Sequence, residues 1–164
     1  MAREDERHHL FGYLNERFGI PEDTFKDYLL FRRKKSWQLI KDTDRLAHAS
    51  LLKVSKIGLR AFQRVGAYVK PTTRMIQMFG HRATRSKLEI DEKQLSKLLT
   101  GEKISGDPAI DKGYVILTLK GNGILGLGFS ANGTVSSQIS RKELRQAMLI
   151  YPPSQKAPSV FPQC

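Results

Sequence analysis

An α+β fold is what the pattern of this chain predicts, on three observations. An apolar stripe at helical spacing occupies the first eighteen residues. Short β-branched and aromatic runs follow in the middle, and glycine-punctuated apolar strands with turn dipeptides fill much of the second half. At 164 residues, with 40% hydrophobic residues and seven prolines, the chain suits one ordinary domain or two small ones sharing a core.

The elements follow in order. Leu10, Phe11, Leu14 and Phe18 share one face of a helix over Glu4–Phe18, and Gly19 stops it. Pro21-Glu22-Asp23 suits the first turn of a second short helix reaching about Tyr28. Phe31-Arg32-Arg33-Lys34-Lys35-Ser36 reads as a cationic turn, and Ser36-Trp37-Gln38-Leu39-Ile40 as a strand. Leu51 to Val69 reads as two strands interrupted at Gly58 and Gly66. A short helix then opens at Pro71-Thr72-Thr73, buries Met75, Ile76 and Phe79, and ends at Gly80.

A second unit starts near Ser86. Lys87–Ile90 alternates as a strand does, and Asp91 with Gln94 three residues on resembles a capping box. Leu95, Leu98 and Leu99 form the buried stripe of that helix, and Gly101 is its stop. Gly113–Lys120 and Ile124–Phe129 are strands joined around Gly121-Asn122-Gly123, and Asn132-Gly133 is a hairpin signal leading into Thr134–Ile139. Arg141 to Leu149 is open between a last helix and a basic strand. The expected division is therefore 1–85 as an α+β amino-terminal region, 86–151 as a small β-barrel and 152–164 as a flexible tail.

Charge narrows the function. The formal net charge is +12, and it is unevenly placed: residues 1–31 carry −3, residues 32–87 carry +13 and residues 88–164 carry +2. A solubility device spreads its charge, whereas a surface that neutralises a phosphate backbone concentrates it. No apolar run approaches the roughly 18 residues of a membrane span, the opening MAREDERHH precedes no apolar signal region, and Cys164 is the single cysteine. The chain thus reads as a cytoplasmic protein without disulfides and without membrane partners.

Motifs of chemistry are few. Gly121-Asn122-Gly123-Ile124-Leu125-Gly126 matches G-x-G-x-x-G, but a dinucleotide loop must open a helix and this one runs into a strand and another turn. A glycine-rich hairpin is the better reading. His8, His9, His48 and His81 have no acidic or cysteine partners at ligand spacing, so no metal site is expected. No nucleophile is paired with a base, and Glu22-Asp23 and Asp42/Asp44 sit where carboxylates cap. The expectation is a protein that is no enzyme and takes no cofactor. Phe62 and Tyr68, interleaved with the cations, read as core; for Trp37, core and base stacking are both open.

The second unit resembles a known family. KLEIDEKQLSKLLTGEKISG, GYVILTLKGNGILGLGFSANGTV and SRKELRQAM follow the order of PUA domains, small RNA-binding barrels. With Arg64-Val65-Gly66-Ala67-Tyr68-Val69-Lys70-Pro71-Thr72 before them, residues 50 to 149 are similar to the C-terminal RNA-binding region of Sun/Fmu-type RNA 5-methylcytosine methyltransferases. The family's methyltransferase domain has no counterpart in this chain, and Ser137 and Ser140 stand where the family pattern often has Asn and Pro. The resemblance implies a PUA-like barrel preceded by a pre-PUA-like region. The function it implies is non-catalytic binding of structured ribosomal or transfer RNA, in RNA modification or ribosome biogenesis.

Two sets of residues are expected at the RNA. Cations of the middle third, Arg32, Arg33, Lys34, Lys35, Arg60, Arg64, Lys70, Arg74, Arg82 and Arg85, are expected to hold phosphates, since the planar arginine fork suits them. Arg141 is expected there too. Lys97, Gly101 and Lys103 face the RNA by the resemblance. The alternatives are a protein–protein adaptor that docks on a methyltransferase or a ribosome assembly factor, which an exposed apolar patch around Tyr151, Val160 and Phe161 would favour, and an RNA-targeting subunit for a separate methyltransferase chain.

Overall fold

The structure, a computed structural model, describes residues 1–44, 58–121 and 123–150. Helix α1 runs over Glu4–Phe18 with Leu10, Phe11, Leu14 and Phe18 buried. Its first turn carries Glu4, Asp5 and Glu6, which suit the positive end of the helix dipole. Gly19, left-handed at φ 68°, donates its N–H to Asn15 O, and Ile20 N–H reaches back to Leu14 O at 3.3 Å. Those bonds satisfy the orphan carbonyls of the last turn and stop the helix.

The helix expected to follow is instead a single 3-10 turn, Glu22–Phe25. Phe25 has to face inward, where it stacks on Phe11 with ring centroids 4.4 Å apart. Tyr28 is already paired with Lys41 in the sheet, so the chain has no length left for a second helical turn.

A four-stranded antiparallel sheet comes next, in the order of the chain: β1 (Tyr28–Arg33), β2 (Ser36–Lys41), β3 (Leu59–Val65) and β4 (Tyr68–Pro71). The stretch expected to hold two strands contains β3 and β4, while its residues 51–57 lie outside the described ones. One face, with Leu30, Trp37, Leu39 and Phe62, packs against α1 and against helix α2 (Thr73–Phe79). Trp37 is core, as is Phe62. Thr72 caps α2 by accepting from Met75 N–H and donating to Arg60 O at 2.5 Å.

After a 3-10 turn at Gly80–Arg82 the chain builds its second sheet. This contains β5 (Lys87–Ile90), β6 (Ile104–Ser105), β7 (Gly113–Leu119), β8 (Gly123–Ala131) and β9 (Thr134–Ser137), in the order β5-β7-β8-β9-β6. Only β5 and β7 run parallel. The two edge strands are consecutive in sequence, linked through helix α3 (Glu92–Thr100). Laid flat, five strands would separate those edges by about 19 Å. In the structure the sheet is curled into a half-barrel, with Leu95 and Leu98 of α3 packed into its core. The Asp91–Gln94 capping box and the left-handed Gly101 stop of α3 are both present.

The continuous apolar run of β7 has a structural cause. Val115, Leu117 and Leu119 fill the half-barrel with Leu95, Leu98 and Val135, while Ile116 turns outward into the first core with Leu127 beside it. A strand covered on both faces needs no polar residues. Gly126, at φ 152° beside the bulge in β8, marks the seam: a Cβ there would lie 2.7 Å from Thr73 Cγ2 and 2.9 Å from Ile139 Cγ1. Arg17 fastens the other end of the seam, donating from Nε to Tyr114 O at 2.6 Å and from Nη2 to Asp111 O at 2.8 Å. The architecture is mixed α+β with two sheets, the second a small partial barrel. Residues 141–150 settle as a helix, α4 (Arg141–Ile150), because Ser140 and Glu143 form a reciprocal cap that a strand has no use for.

Candidate nucleic-acid interface

Antiparallel register decides which cations share a surface. In β1 and β2 the core side chains are Leu30, Trp37 and Leu39, so Arg33, Ser36 and Gln38 point to the opposite face. Arg33 pairs with Ser36, Ser36 with Gln63 and Gln63 with Lys70, which makes one row across all four strands. Three interstrand steps give that row a width of about 14 Å. Gln38 and Arg60 form a parallel row behind it.

This outer face is one wall of a groove of about 1250 Å³; the other wall comes from Thr73 and Arg74 of α2, Leu127 of β8, Gln138 just after β9, and Glu143 of α4. Seven cations line it (Arg33, Lys34, Lys35, Arg60, Arg64, Lys70 and Arg74) against the single carboxylate of Glu143. That carboxylate already accepts from Ser140 Oγ at 2.8 Å. The ion pairs Arg3–Asp5, His8–Glu22 and Arg32–Glu6 all lie outside the groove. All sixteen Asp and Glu residues lie within the described part of the chain. Among the described residues Lys34, Lys35, Arg60, Arg64, Lys70 and Arg74 line one groove and make no ion pair, an arrangement that favours an external polyanion.

The cationic run expected to act as a unit is split by the strand that carries it. Arg33 and Arg32 are neighbours on β1, so they point to opposite faces. Arg32 reaches Glu6 of α1 at 3.4 Å and lies with its guanidinium 5.9 Å from the Trp37 ring. It joins α1 to the sheet. Arg85 is likewise outside the groove, donating to Asn15 O at 3.3 Å, and Arg82 is exposed in the 3-10 turn after α2. Lys97, Gly101 and Lys103 lie at the end of α3, exposed. Arg141 comes to the same corner, since a Cβ on Gly101 would be 3.4 Å from its Nη2. The first turn of α4 thus links that corner, through Arg141, to the groove, through Glu143.

Gln38, Gln63, Thr73, Gln138 and Glu143 line the groove but carry no charge excess that composition would flag. For the last of these the signal exists: Ser140-Arg141-Lys142-Glu143 is a capping box read directly from the letters. For Gln38 and Gln63 the signal is alternation with Trp37 and Phe62. Tyr68, expected in the core, is 78% exposed at the β3–β4 turn. Tyr151, Val160 and Phe161 lie outside the described residues.

Lys34 holds a left-handed backbone at φ 50°, in the two-residue turn between Arg33 and Ser36. A non-glycine residue is strained there by about 1 kcal/mol. Lys34→Gly is expected to raise thermal stability by about that amount, while weakening binding of a polyanion by one contact. Thermal unfolding of the variant checks it, and a lowered melting temperature would refute the strain.

Among the described residues no group of three or more His, Cys, Asp or Glu side chains could hold a metal ion, and no helix is long and apolar enough to cross a membrane. Compared with protein-family models the chain matches none, and no curated protein sequence matches it.

Proposed function

We propose that this protein binds structured RNA, ribosomal or transfer RNA, without performing chemistry on it, and that the RNA backbone runs along the cationic groove. The observation that carries the reading is the lining of seven cations and one already bonded carboxylate over a groove about as wide as a four-stranded sheet. Glutamines 38, 63 and 138 add neutral donors and acceptors suited to sugar hydroxyls and phosphate oxygens. The curled second sheet, its α3 strap and the Gly101–Arg141 corner beside the groove support a PUA-like barrel as a second contact surface. The setting that fits such a module is RNA modification or ribosome biogenesis in the cytoplasm.

The test is competition. Labelled hairpin RNA bound to the protein is challenged with unlabelled RNA duplex and with DNA duplex of the same sequence and length, at one fixed salt concentration. RNA is expected to displace the label at a lower concentration than DNA, because 2′-hydroxyls and A-form shape distinguish the two. Equal displacement would reduce the activity to general polyanion binding.

A further inference from the structure

The β3–β4 turn projects an aromatic side chain that the fold does not use. Val65 and Tyr68 are directly paired, with Gly66 and Ala67 as a two-residue turn between them. Gly66 at φ 60° supplies the positive φ that such a tight hairpin requires. Tyr68 is 78% exposed and Val65 is 51% exposed. Among the described residues Tyr68 makes no side-chain hydrogen bond, ring contact or cation–π contact. Its removal therefore costs the fold nothing that the structure shows.

Its place is specific. Gln63 and Lys70 are paired on the groove face, and Val65 and Tyr68 are the next pair on that same face, two residues along each strand. The turn lies at the end of the sheet that also carries Lys34 and Lys35, and Arg64 N–H donates to Lys35 O at 2.8 Å, tying the two tips together. A phosphate held by Lys34 or Lys35 at that end of the sheet would bring its nucleotide toward the Tyr68 ring.

On the RNA-binding reading above, on which this inference rests, we propose that Tyr68 stacks on an unpaired base where a single-stranded segment leaves the duplex held in the groove. The groove wall itself offers glutamine, threonine and cationic side chains but no aromatic face, so it can hold a backbone and not a base stack. An aromatic ring at the mouth of a cationic channel is the complementary part: stacking tolerates any base, because every base has a π-face. The ligand class is therefore RNA with a duplex next to unpaired nucleotides.

The experiment uses the full chain and two RNAs, a blunt hairpin and the same hairpin with a short single-stranded overhang containing 2-aminopurine. Affinity and 2-aminopurine fluorescence are measured for the wild type, Tyr68→Ala and Tyr68→Phe. The wild type is expected to prefer the overhang and to quench its fluorescence. Tyr68→Ala is expected to lose about five- to hundredfold in affinity for the overhang RNA, with the blunt hairpin unchanged, and Tyr68→Phe to keep both affinity and quenching. Equal affinity of the wild type and Tyr68→Ala for the overhang RNA overturns the stacking role while leaving RNA binding standing. Failure of the wild type to bind either RNA overturns both. Tyr68-dependent binding to vesicles of anionic lipid, with no preference for the overhang, would reassign the tip to a membrane surface and overturn the proposal.

Discussion

Replacing Lys34, Lys35, Arg60 and Arg64 together by alanine is expected to flatten the salt dependence of RNA binding by about three units on a log–log plot. Each phosphate contact releases condensed counterions and contributes about 0.7 to 0.9 to that slope, so four contacts account for the change. All four side chains are exposed and line the groove without a carboxylate partner among the described residues, so their loss leaves the packed core intact. Between 50 and 200 mM salt, a slope difference of three is about sixtyfold in relative affinity. Binding should weaken alike on unrelated RNAs, because phosphate contacts carry no sequence information. Arg32→Ala is the matched control: its partners are Glu6 and the Trp37 ring, so it should leave the slope unchanged. A slope unaltered in the four-residue variant would remove the groove from the binding site.

Phe11→Ala is expected to cost about 3–5 kcal/mol of folding stability, near the upper end for a single substitution. The ring stacks on Phe25 at 4.4 Å, meets Phe62 at 6.0 Å and lies 4.8 Å below the guanidinium of Arg7. Arg7 in turn donates to Tyr28 O and Phe25 O at 2.8 and 2.7 Å, so the truncation also loosens the contact of α1 with β1. For a chain of this length the melting temperature should fall by about 10 °C or more. Calorimetry or urea unfolding measures it; a loss below about 1 kcal/mol would mean that the cavity collapses and that α1 is not a keystone of the first core.

Local signals were legible in the letters alone. The α1 stripe and its Gly19 stop, the Asp91–Gln94 box, the Asn132-Gly133 turn and the apolar run of β7 each depend on residues within one or two turns of each other. Asn132 at φ 52° and Gly133 at φ 71° are the two left-handed residues that such a hairpin demands. The segment after Pro21 was not legible in this way: its helical beginning gives way to a strand because Phe25 and Tyr28 answer to Phe11 and Lys41, distant in sequence.

The candidate site divides along the same line. The concentration of charge in residues 32–87 is a property of composition and needs no fold. Which cations act together depends on strand register, and a one-residue step reverses the face. Arg32 and Arg33 are adjacent in the chain, yet one ties α1 to the sheet and the other lines the groove. Tyr68 has the apolar ring of a core residue, but its pairing with Val65 sets it on the sheet face opposite α1 and α2, where it is exposed. By itself the sequence determined most of the local elements and where the positive charge concentrates, because periodicity and composition are local or additive. Only the tertiary structure decided which cations line the groove and that Tyr68 is exposed, because such surfaces join side chains from strands that register alone brings side by side.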